Sequence, residues 1–151
     1  MKTDNYLVTS STIMLKYINE TKTRVYELNR EFIVYENMSD IIFNSCEFYG
    51  STYNGRLDFS KSVLNLNIKL PIIIEENKKI IFFPTRAIYN EECIWISNNN
   101  LNKIEKENEN CVIYFKNGKK YRINISCDII NRQIFNCLKI EKLLKTRHEN
   151  V

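Results

Sequence analysis

Apolar positions in this chain recur with a period of two in some stretches and near 3.6 in others, and the changes of period mark the elements. Residues 12–18, 24–28 and 31–35 are rich in β-branched and aromatic side chains broken by Asn, Thr and Glu. They read as short antiparallel strands, with Ile13, Leu15 and Tyr17 on one face of the first. Ser39 reads as an N-cap with Asp40 in the first turn. A helix over 40–49 then buries Ile41, Ile42, Cys46 and one of Phe48 and Tyr49, and Gly50 closes it. A bend over 51–55 leads into a second helix over 56–67, carrying Leu57, Val63, Leu64 and Leu66. Pro71 opens the apolar run Ile72-Ile73-Ile74. A polar turn over 75–79 separates it from Ile80-Ile81-Phe82-Phe83, which Pro84 ends, so the pair reads as a hairpin of two buried strands.

Ile94-Trp95-Ile96 is a further strand anchored by Trp95. Residues 101–106 read as an edge strand whose lysines oppose edge-to-edge pairing. Asn117-Gly118 is a hairpin turn joining strands 111–115 and 121–126. Tyr121, Ile123 and Ile125 point one way, and Lys120, Arg122 and Asn124 the other. Ser126 caps a last helix, Asp128 to about Lys145. Its inward stripe is Ile130, Ile134, Cys137 and Leu138, and its outward stripe Arg132, Asn136 and Lys139. The expected architecture is α+β: a curved antiparallel sheet of hairpins with two central helices and a C-terminal helix packed on it.

Composition narrows the class. The 151 residues make a single domain, 1–151, able to bury a real core. The start, Met1-Lys2-Thr3-Asp4, is unlike a signal peptide, and no apolar run approaches the ~20 residues of a membrane span. The expectation is a soluble, cytoplasmic protein with no membrane partner. Five cysteines, Cys46, Cys93, Cys111, Cys127 and Cys137, show no CxxC, and His148 is the one histidine. The favoured reading is five reduced thiols buried as small hydrophobes, with no metal and no cofactor.

The net charge of +4 is mild, but its distribution is uneven. Residues 1–76 hold 8 Lys+Arg against 10 Asp+Glu, and residues 77–151 hold 14 against 8. The second half is therefore +6, which suggests an anionic partner for one face or a merely solubilising one. There is no GxSxG, HExxH or GxxxxGK, and His148 is a poor base for a cysteine nucleophile. An enzyme is not expected.

The segment Ser45-Cys46-Glu47-Phe48-Tyr49-Gly50-Ser51-Thr52-Tyr53-Asn54-Gly55-Arg56 holds two of the three glycines. Gly50 and Gly55 read as positions of positive φ or close approach. Ser51, Thr52, Tyr53 and Arg56 offer N–H groups, hydroxyls and a forked cation, which suit phosphate and sugar oxygens.

Taken in order, these segments resemble the bacterial competence transcription factor family, ComK. The resemblance rests on the Ser45–Arg56 pattern SC-x-F-[FY]-GS-x-Y-x-GR, on Pro71 to Pro84, on Trp95-Ile96-Ser97 after Cys93, and on Asn117-Gly118-Lys119 followed by Ile125-Ser126 and the closing helix. It spans about Tyr35 to Leu144. It implies a single DNA-binding domain that activates competence and DNA-uptake genes. Such a domain binds paired AT-rich boxes through the minor groove, as a homodimer or higher homo-oligomer associated with the nucleoid. RNA polymerase and a proteolytic adaptor are the further partners it implies. Family members can carry a longer C-terminal tail, whereas this sequence stops at Val151, a departure that puts regulation through such a tail, adaptor-directed proteolysis included, in doubt.

Each candidate carries a structural reading beside the functional one. Arg56 inserts into a groove or grips a phosphate, or else it pairs with Asp58, another acid or backbone carbonyls. Ser51 and Thr52 bind phosphate or cap a helix. Tyr53 lines the groove or is a satisfied buried phenol. Lys61 is a backbone contact or a solvated lysine. Arg86, Lys119, Lys120 and Arg122 enter a groove on a basic hairpin or guard its edge. Arg132 and Lys139 track the DNA backbone, face a second subunit or face solvent. The alternative function is a non-enzymatic protein-interaction module similar in outline to a PH-like domain.

Overall fold

Two runs, 72–74 and 80–83, are apolar at every position, and the fold explains why: the sheet that contains them is covered on both faces. The computed structural model describes residues 5–149. The chain order is β1 (Thr12–Asn19), β2 (Lys22–Glu27), β3 (Arg30–Val34), α1 (Met38–Phe48), α2 (Tyr53–Leu64), β4 (Ile72–Glu75), β5 (Ile80–Pro84), β6 (Ile94–Ser97), β7 (Leu101–Glu107), β8 (Asn110–Phe115), β9 (Lys120–Ile123) and α3 (Cys127–Glu149). The fold is α+β with antiparallel strand pairs, as the pattern predicts. The strands divide into two sheets, six strands in the order β3-β2-β1-β6-β5-β4 and three in the order β7-β8-β9.

Alternation along β4 and β5 sends Ile72, Ile74, Ile80 and Phe82 to one face and Ile73, Ile81 and Phe83 to the other. On the first face they meet Ile41, Ile42 and Cys46 of α1, with Trp95 and Leu15 beside them. On the second they meet α3 and the inward side of the small sheet, including Ile113, Phe115, Ile123 and Ile140. Removing any one of the fully buried phenylalanines would cost about 3–5 kcal/mol in lost transfer and cavity terms. Helix α2 lies beside edge strand β4, and its Leu57 reaches both apolar clusters.

Several boundaries differ from the sequence reading. Asn37, not Ser39, caps α1: its side chain accepts from Ser39 N at 2.9 Å and Asp40 N at 3.4 Å. Ser39 is instead buried one position into the first turn. Helix α2 begins at Tyr53 rather than Arg56, because Thr52 Oγ1 accepts from Gly55 N at 2.9 Å and closes the first turn there. It stops at Leu64, where Asn65 turns left-handed at φ 55°.

In α3, Leu138 is 55% exposed and Asn136 is buried, bonded to Gln133 Oε1 at 3.2 Å. The inward stripe therefore runs Ile130, Gln133, Cys137, Ile140, Leu144, and Gln133 is held there by the Lys69 and Pro84 carbonyls at 2.7 and 2.8 Å. The five cysteines are not all free: Cys111 of β8 and Cys127 at the start of α3 are disulfide-bonded. Cys46, Cys93 and Cys137 are free and buried. Met1-Lys2-Thr3-Asp4 and the His148 side chain lie outside the described residues. No helix among those described is long and apolar enough to cross a membrane.

Candidate nucleic-acid interface

The α1–α2 corner is built by three local devices. Gly50 sits at φ 91°, and its N–H donates to the Glu47 carbonyl at 3.0 Å while Ser51 N–H donates to Cys46 O at 3.1 Å. This paired pattern ends α1 with the chain turned, and an L-residue at Gly50 would be strained. Gly55 has no positive φ; it is already helical. An added Cβ there would stand 3.1 Å from the capping Thr52 Oγ1 and 3.4 Å from Ser51 Oγ, so close approach rather than backbone twist explains that glycine. Thr52, the third device, sets the axis of α2.

These devices aim the side chains. Tyr53 packs on Phe43 with ring centres 4.6 Å apart. Burial, with Tyr89 nearby, pushes its phenol up to about 12. It stays protonated, a hydroxyl on an aromatic wall. Arg56 is half-buried and near Cys46. Its Nε is buried with no hydrogen-bond partner, and none of the ion pairs among the described residues involves it. A buried N–H without a partner is costly. An anion that met the guanidinium would gain a charge-assisted bond. Burial also pushes the Cys46 thiol up to about 11, with Arg56 pulling the other way.

Of the nine candidates, the structure brings Ser51, Thr52, Tyr53 and Arg56 together at this corner. Lys61 is exposed in the last turn of α2, away from it. Arg86 lies in the β5–β6 connection and donates to the Asn124 carbonyl at 2.7 Å. That connection also carries Tyr89, 80% exposed and close enough to perturb Tyr53. It thus links the corner to the end of β9.

Lys119, Lys120 and Arg122 are exposed on the β8–β9 hairpin. Arg122 is ion-paired with Glu107, which takes up part of its charge. Lys120 lies 5.9 Å from the Tyr114 ring centre, and Lys103 faces the same ring at 4.7 Å. Register places Lys103, Tyr114 and Lys120 in one row across β7, β8 and β9. Tyr114 and Lys103 were not among the sequence candidates. Alternation along β8 puts Tyr114 on the same side as Lys103 and Lys120, but only the strand register reveals the row.

Fold and corner together define an α+β protein with hydroxyls, a half-buried guanidinium that forms no ion pair among the described residues and a lysine-flanked aromatic, chemistry that suits oxygen-rich anions. The chain belongs to the ComK family, whose model, described as ComK protein, matches residues 3–149. It is similar to the competence transcription factor of Bacillus subtilis (strain 168), 29% identical over 111 residues, covering 72% of this chain and 58% of that protein. The chain thus aligns with less than two thirds of that relative's length. No solved structure matches it.

Proposed function

We propose that this protein is a DNA-binding transcription activator of competence and DNA-uptake genes, and not an enzyme. It binds paired AT-rich boxes mainly through the minor groove, as a homodimer or higher oligomer. The observation that carries the reading is Arg56, a half-buried cation with an unpartnered Nε beside a capped helix start, in a chain of the ComK family. A-tract minor grooves are narrow and strongly negative and attract arginine. Tyr53, Ser51 and Thr52 flank the cation and suit sugar and phosphate oxygens. Arg86, Lys119, Lys120 and Arg122, with Lys61, supply further backbone contacts and counterion release. RNA polymerase and a proteolytic adaptor are protein partners consistent with this role.

Anisotropy titration of the full chain against duplexes with paired A/T tracts, and against GC-rich duplexes of equal length, tests it. The paired A/T duplex binds tighter, and Arg56→Ala weakens that binding by about 1–3 kcal/mol while circular dichroism stays native. Binding to neither duplex contradicts the reading and leaves the interaction-module alternative; equal binding to both contradicts the A/T preference.

A further inference from the structure

The outer face of α3 carries chemistry that the corner and the hairpin do not use. Phe135 and Leu138 are 57% and 55% exposed on a helix whose opposite side is core. They line a groove of about 490 Å³ beside the β4–β5 turn, rimmed by Lys79, Lys139, Lys142 and Lys145. The Lys139 ammonium lies 4.8 Å from the Phe135 ring centre. Among the described residues the groove has one carboxylate, Glu141, and it accepts a 2.9 Å hydrogen bond from Asn98. Four ammonium groups therefore surround two solvent-exposed apolar side chains, with one engaged acid between them.

We propose that this groove docks an acidic amphipathic peptide segment of a protein partner. Its apolar side chains would cover Phe135 and Leu138, and its carboxylates would meet the lysine rim. Charge selects the occupant. A second copy docking through the same face would set four ammonium groups against four, a juxtaposition that costs several kcal/mol. DNA would pair with the lysines yet leave Phe135 and Leu138 against a charged backbone. Lysines beside exposed Phe and Leu would also suit an anionic lipid surface, so vesicles form one arm of the test. An amphipathic segment satisfies both halves of the site, as helix-in-groove recognition does elsewhere. The inference does not depend on the DNA-binding reading.

The probe is a labelled peptide of about 16 residues with Leu and Phe at helical spacing and Glu on its flanks, titrated against the full chain. Saturable binding is expected. It should weaken about tenfold when each Glu becomes Gln, or when the apolar positions become Ser. Phe135→Ala/Leu138→Ala and Lys139→Glu/Lys142→Glu should each weaken it by about tenfold or more. The Phe135→Ala/Leu138→Ala variant should keep its melting temperature and its A/T-duplex affinity. Absence of saturable binding, equal binding of the Gln peptide, or indifference to both variants overturns the proposal. So does binding confined to anionic lipid vesicles. A concentration-dependent rise in mass that Phe135→Ala/Leu138→Ala abolishes would give the groove to self-association and overturn it too.

Discussion

At the scale of single residues, the candidate corner was legible as a place and only partly as a mechanism. Two glycines flanking hydroxyls, followed by Arg56, stand out in a chain with three glycines. Their reasons differ, and the sequence does not separate them: Gly50 answers to a backbone twist, Gly55 to the approach of Thr52 Oγ1. The unpartnered Nε of Arg56 depends on which acids the fold places nearby, and that is a property of tertiary packing.

Burial also makes the corner sensitive to alkali. The Cys46 thiol is raised from 9.0 to about 11, because burial disfavours the thiolate. A raised pKa in the folded state means that the protonated group contributes stability in full below pH 9. That contribution is lost as pH climbs through about 11. Urea melts of the wild type should therefore lose stability steadily across that window. Cys46→Ala, though less stable at pH 7, should show a shallower decline. Equal slopes for the two would contradict this assignment of burial as the cause.

At the scale of elements, the strong local codes were read correctly. The all-apolar runs make β4 and β5, and the β8–β9 hairpin turns where expected, although through a loop over 116–118 closed by Phe115 and Lys119, with Gly118 at φ 88°, rather than a two-residue Asn-Gly turn. Caps decide the errors: Asn37 and Thr52 each start a helix before the residue that the apolar pattern favours. On α3 the stripe slipped because Gln133 and Asn136 are buried polar residues satisfied by carbonyls and by each other, which no hydropathy pattern marks.

The Cys111–Cys127 bond escaped for a similar reason. The spacing matches no motif, and only the return of the chain through β9 brings the start of α3 to β8. The bond ties α3 to the small sheet across a separation of 16 residues, worth about 3 kcal/mol in a chain-entropy account. Alkylation of the unreduced, denatured protein should count three free thiols. Reductant and Cys127→Ser should each lower unfolding free energy by about 2–4 kcal/mol, and the two together by no more than one alone. Five free thiols with no effect of reductant would remove the bond from the account.

At the scale of the whole molecule, the division into two sheets was beyond the reach of local pattern. The pairing of β1 with β6 joins strands some eighty residues apart, Leu15 opposite Trp95. The charge asymmetry was legible, and the fold distributes it. Cations of the second half lie in the β4–β5 turn, in the β5–β6 connection, on β7 and the β8–β9 hairpin and along the outer face of α3. In the proposed division of labour, the corner and hairpin face DNA and α3 faces protein.

Replacing the A·T pairs of the bound tracts by inosine·cytosine is the most direct test of minor-groove binding. Inosine·cytosine keeps the A·T pattern in the minor groove, since it lacks the guanine N2 donor, and presents the G·C acceptors and donor in the major groove. The account predicts affinity for the inosine·cytosine duplex within about threefold of the A·T duplex. It predicts the same roughly tenfold or greater loss on Arg56→Ala with either duplex. Affinity falling to the level of the G·C duplex would place the readout in the major groove and contradict it.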